Sequence, residues 1–119
     1  MEDLIASEHP ARAEFHNRFE RLRDPSHTSA LPLSGLLALF RGAGLEIEEV
    51  SAGRITQPVD SWFATAQTPP DREAEVRAML ERDALGDLSG VRPFVREGEW
   101  FFTHRTAIVV GRKLERRRD

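Results

Sequence analysis

The chain contains no cysteine, which excludes a disulfide framework, a thiolate metal site and a cysteine nucleophile. It also lacks any apolar run near the roughly 20 residues that span a bilayer. It opens on Met1-Glu2-Asp3 rather than on the basic start of a secretory signal, so a cytoplasmic setting is expected. HExxH, a phosphate loop and a Ser-His-Asp order are all missing, which leaves hydrolase and kinase chemistry without support. Positive charge is not in excess either. The formal net charge of -3 argues against general nucleic-acid binding, which draws on many phosphate contacts from Lys and Arg. The exception is the end of the chain from Arg112 onward, whose last six residues, 114–119, read as a short basic tail.

What is present suits one globular domain over residues 1–113. At 119 residues, 39% hydrophobic and 31% charged, the chain is long enough to bury a core and is not of disordered composition. Leu4, Ala11, Phe15, Phe19 and Leu22 recur at helical spacing, which predicts helix over most of 3–22, with Pro10 kinking it or starting its main part. Asp24-Pro25 ends that helix in an ordered turn over 24–30. A second helix over about 33–42 and a strand over 45–55 follow. Asp60 is placed to cap a short helix carrying Trp62 and Phe63, and Thr68-Pro69-Pro70-Asp71 opens a longer one that turns Val76, Met79 and Leu80 inward and stops at Gly86. The end reads as Phe94-Val95-Arg96, a turn at Glu97-Gly98, a strand at Trp100-Phe101-Phe102 and a further buried strand at Thr106–Val110. The fold class expected is α+β, with several helices on a small, mainly antiparallel sheet. Long strand-helix alternation is missing, so this is no complete doubly wound nucleotide fold.

The run Asn17-Arg-Phe-Glu-Arg-Leu-Arg-Asp-Pro-Ser-His27, the helix ending Ala43-Gly44-Leu45 and the strand ending Ile108-Val109-Val110-Gly111-Arg112-Lys113 together resemble one family. They are similar to the carboxyl-terminal half of class I S-adenosylmethionine-dependent methyltransferases acting on small molecules, of the type 11 and type 12 kind. The resemblance spans about residues 14–113. It implies the end of a Rossmann-like sheet, methyl transfer from S-adenosylmethionine, and a cofactor half that this chain lacks. Such methyltransferases grip the cofactor with a Gly-rich turn after a first strand and an acidic residue after a second. The only Gly-x-Gly here, Gly42-Ala43-Gly44, follows a helix and precedes a strand, the reverse of a ligand-cradling turn. No cofactor-binding residue is therefore assigned. Pro32 and Leu36 stand where relatives place a Ser or Thr cap and a Trp. Strands from the end of such a sheet would leave an edge and an apolar face open, so a partner is expected: a second copy of this chain or a separate cofactor-binding chain.

Methyl transfer from a sulfonium is an in-line displacement, helped by alignment and by a base where the acceptor must lose a proton. His27 suits the base by residue type, and Asp24 suits a role orienting it; the alternative is a capped turn with a solvated histidine. Trp62 and Phe63 suit the wall of a small-molecule pocket, with core packing the more ordinary reading. His16 and Glu20 share a helical face at a spacing that could share a metal, but two ligands make no site, so a surface ion pair and no metal are expected. His104 reads as a turn or sheet-face residue between strands. Two rival functions remain at this stage. One is a non-catalytic dimeric interaction module; the other is a small α+β ligand-binding domain with a pocket around Trp62 and Trp100.

Overall fold

The computed structural model describes residues 2–113; the basic tail at 114–119 lies outside the described residues. The elements run β1 (Glu2–Ile5), α1 (Pro10–Arg23), α2 (Leu33–Gly42), β2 (Leu45–Pro58), α3 (Val59–Ala66), α4 (Pro70–Gly86), β3 (Phe94–Arg96) and β4 (Glu99–Lys113). This is the α+β arrangement expected, four helices on an antiparallel sheet. Expectations at both ends of the chain are corrected. Residues 2–5 form a strand rather than the start of the first helix, because Pro10 takes the first helical position and ends any continuity through Ser7. The segments around Trp100 and Ile108 are one strand of 15 residues, since Thr103-His104-Arg105-Thr106 offers two β-branched residues and no Gly or Pro to turn the chain.

β4 is the centre of the sheet. β2 lies along one side of it, from Leu45 opposite Lys113 to Pro58 opposite Phe101, with a bulge between Ile47 and Glu49. The other side is shared by β3, opposite 99–101, and β1, opposite 105–108. Thr103 N–H donates to Val91 O in the gap between them (2.9 Å). Glu97 and Gly98 join β3 to β4 with positive φ at both positions (54° and 76°), the geometry of a tight hairpin turn.

Because directly opposed residues share a face, the register sorts the side chains. Trp100, Phe102 and His104 face α1, α3 and α4, where the main core gathers Phe19, Val59, Trp62, Phe63, Val76, Met79 and Leu80. Ala107 and Val109 face the other way, onto Leu36 of α2. Phe40 closes over Gly111, where an added Cβ would lie 2.9 Å from its ring, so glycine is what admits that contact.

The helix ends are secured mostly from outside the helices. The Glu8 carboxylate accepts from Ser34 N–H and from the Ser34 hydroxyl, supplying at the start of α2 the acceptor that Pro32 cannot. Those two bonds lower the Glu8 pKa. Asp60 does not cap α3, whose N-cap is Pro58; it pairs with Arg77 of α4 instead. Beyond α4, buried Asp83 accepts from Leu88 N–H (2.7 Å), Ser89 N–H (2.9 Å) and the Ser89 hydroxyl. Asp83→Ala leaves buried donors unsatisfied, and a loss of about 1–3 kcal/mol is expected, read as a lower urea midpoint with an unchanged slope.

Candidate functional site

α1 ends in a run whose inward residues wire three elements together. Asn17, 8% exposed, donates from Nδ2 to Ala13 O and Ala30 O (both 3.1 Å), and its Oδ1 accepts from Ala30 N–H (2.7 Å). With Oδ1 thus fixed as an acceptor, His27 Nε2 at 3.2 Å must carry a proton and donate to it. His27 Nδ1 is then the basic nitrogen. Burial lowers the His27 pKa, with the charge on His16 and Arg21 adding to it against Glu20 and Asp24. Asp24 does not touch the imidazole. Its Oδ1 accepts from Ser26 N–H (3.0 Å) and the Ser26 hydroxyl (2.7 Å), which lower its own pKa, and its backbone carbonyl accepts from His27 N–H (2.9 Å). The task of orienting the His27 ring, expected of Asp24, falls to Asn17.

A group whose pKa falls on folding binds protons more readily in the unfolded chain, so its stabilisation is complete above the unfolded value and is lost as pH falls through the folded one. His27 is therefore expected to titrate below the 6.5 of an unperturbed histidine, its own proton shifts in an NMR titration giving the midpoint. In Asn17→Ala the midpoint moves; a His27 midpoint above 6.5 in the parent chain would contradict this geometry.

Trp62 and Phe63 are each 3% exposed and belong to the core. Trp62 meets Phe19 edge-on (5.8 Å between centroids) and Phe102 (4.9 Å), and the Arg23 guanidinium lies 4.7 Å over its ring. Neither side chain lines the cavity of about 380 Å³ that lies between β1, β2, β4 and α2 beside Arg54 and Arg105. Helix α3 is pinned over the sheet on their side, which turns these rings inward rather than toward a cavity.

The strongest concentration of chemistry lies at His16, Glu20 and His104, and it corrects one expectation and decides another. His16 and Glu20 are not a surface pair: they are 2% and 3% exposed. Of the two placements read for His104, turn or sheet face, the sheet face holds: it sits mid-strand in β4, 1% exposed, on the side toward α1. His104 Nε2 lies 3.1 Å from Glu20 Oε1, and Gln57 Nε2 of β2 lies 3.3 Å from His104 Nδ1. His16 Nε2 stands 3.6 Å from the same Glu20 oxygen and has no hydrogen-bond partner among the described residues. Arg23 reaches Glu20 Oε2 at 3.6 Å and anchors its Nε on Trp62 O (2.9 Å). Burial would raise the Glu20 pKa, but the hydrogen bond from His104 and the positive charge of the two imidazoles outweigh it and bring it to about 2. Burial likewise lowers the pKa of His104, partly offset by Glu20. The site therefore holds a carboxylate between imidazoles. Sequence spacing joined His16 to Glu20 but not to His104, 84 positions from Glu20; the available signal was parity, since His104 stands two from Phe102 in an alternating strand.

The Bacillus subtilis (strain 168) protein YcgJ, described as an uncharacterized methyltransferase, is 36% identical over 74 residues, a stretch that covers 62% of this chain and 29% of YcgJ. Its crystal structure matches 96% of this chain and 50% of its own length, with a TM-score of 0.84 and 28% identity. The chain is methyltransferase-like. The BH2331 protein of Bacillus halodurans C-125 has the same fold, with a TM-score of 0.84 at 24% identity over 94% of this chain and 53% of that one. No protein-family model matches. This methyltransferase-like chain spans about half the length of each solved relative, consistent with the carboxyl-terminal half that its sequence resembles. No helix among the described residues is long and apolar enough to cross a membrane.

Proposed function

We propose that this chain is the substrate-side half of an S-adenosylmethionine-dependent small-molecule methyltransferase, inactive alone, and that a cofactor-binding half packs against its sheet. The observation that carries the reading is an uncovered apolar area on one sheet face. By register, Leu4, Thr106, Ile108 and Val110 share the face that bears Phe102 and His104. α1, α3 and α4 cover only the Phe102 end. Leu4, Ile55, Ile108 and Val110 remain 37–45% exposed (37%, 45%, 43% and 39%). An apolar strip on a sheet is a surface that seeks cover, and the solved relatives have as much chain again to provide it. In this reading the protein works in the cytoplasm, S-adenosylmethionine is held by the missing half, and His27 Nδ1 is the base facing the methyl acceptor. Asp24 shapes the turn that presents it. Trp62 and Phe63 support the acceptor pocket from the core rather than lining it.

The test is a chimera in which this chain replaces the matching half of YcgJ. The chimera is expected to bind S-adenosylmethionine and to lose that binding on Ile108→Lys. In the isolated chain Ile108→Lys should leave the circular dichroism unchanged. Equal cofactor binding by the chimera with and without the lysine would show that this face is not the junction. A homodimer of the isolated chain that Ile108→Lys dissociates would favour the interaction-module reading.

A further inference from the structure

We infer that His16, Glu20 and His104 form a three-ligand site for a divalent transition-metal ion, with Zn(II) the ion that their chemistry fits best. Two imidazoles and one carboxylate are a ligand set that Zn(II) accepts while leaving a fourth position for water. The donor atoms are already close to the required shape. Ligands about 2.0–2.1 Å from a tetrahedral ion stand roughly 3.3–3.4 Å from one another. Here Glu20 Oε1 is 3.1 Å from His104 Nε2 and 3.6 Å from His16 Nε2, and all three donors lie within 4.8 Å of each other. His16 Nε2 is the informative atom. It is buried, polar and without a hydrogen-bond partner among the described residues, a costly arrangement for a folded protein to keep unless something fills it.

The surroundings supply the outer contacts such a site uses. Arg23 approaches Glu20 Oε2, leaving Oε1 for the ion. Ligation through His104 Nε2 moves its proton to Nδ1, where Gln57 can accept it by turning its amide over, so no proton is lost from the ring. His16 also lines a cavity of about 10 Å³ beside Ser89 and Gly90, close to the smallest space that holds a water. The site does not depend on the methyl-transfer reading.

The experiment titrates Zn(II) calorimetrically into chelator-stripped full-length chain, with Co(II) absorption as a second readout. The parent is expected to take up one ion per chain and to give the intense visible bands of four-coordinate Co(II). His16→Phe keeps a ring beside Phe19 and removes one ligand; a loss of affinity of about tenfold or more is expected, with Gln57→Leu losing about 10–100-fold through His104. Circular dichroism establishes that both variants are folded. No uptake by the parent, uptake unchanged in His16→Phe, or a weak six-coordinate Co(II) spectrum would each overturn the assignment.

Discussion

Phe19→Ala is expected to cost about 3–5 kcal/mol, a large share of the total stability of a domain this size. Phe19 is fully buried at the point where α1 meets α3, edge-on to Phe15 at 6.2 Å and to Trp62 at 5.8 Å, and beside the His16 ring at 5.2 Å. Its removal takes away apolar burial and leaves a void that rigid neighbours cannot fill. Trp62 is tied by its carbonyl to Arg23, and Phe102 is fixed in the central strand, so collapse into the space is limited. Urea denaturation followed by Trp fluorescence measures the effect. A loss below about 1 kcal/mol, the range of a well-tolerated swap, would mean that α1 is not packed as described.

The second large effect is at Glu20. Removing one member of a buried charged network leaves its partners uncompensated, and such changes cost about 3–5 kcal/mol. Glu20→Ala withdraws the acceptor from His104 and the counter-charge from Arg23 at once. The double variant Glu20→Leu/His104→Leu should be less destabilised than the sum of its single variants, because it removes the stranded polar groups together. Additive losses would show that the two side chains do not interact. Measurement in chelator-stripped protein separates this effect from any contribution of a bound ion.

Several features of the fold were legible in the sequence because local chemistry decides them. Asp24-Pro25 stops α1, Pro70 starts α4, and the spacing of Val76, Met79 and Leu80 marks its inner face; the structure has all of these. The strand at the beginning was missed because four residues carry too little pattern to compete with the helical spacing behind them. Its pairing with 105–108 is a contact across nearly the whole chain. The long final strand was split because its middle is polar. Thr103-His104-Arg105 reads as a break between strands until the elements that bury His104 are known.

The site was legible only in part, for the same reason. The 17–27 run is distinctive in the sequence, and residue type points within it to the terminal His27 and Asp24. Its inward residues Asn17, Glu20 and Arg23 turned out to organise it. Asn17 fixes the His27 ring, a task that spacing alone would give to the nearer Asp24. Glu20 finds its imidazole partner on a strand far away in sequence, a meeting that depends on topology. Trp62 and Phe63 as adjacent residues gave no indication of which side α3 would present to the sheet; both entered the core.

The claim on which the functional reading rests is that the means of gripping an adenosyl cofactor lie outside these 119 residues. Isothermal calorimetry of S-adenosylmethionine against the purified chain addresses it directly. The account predicts no saturable heat at millimolar ligand. A saturable, stoichiometric binding curve from the isolated chain would contradict it.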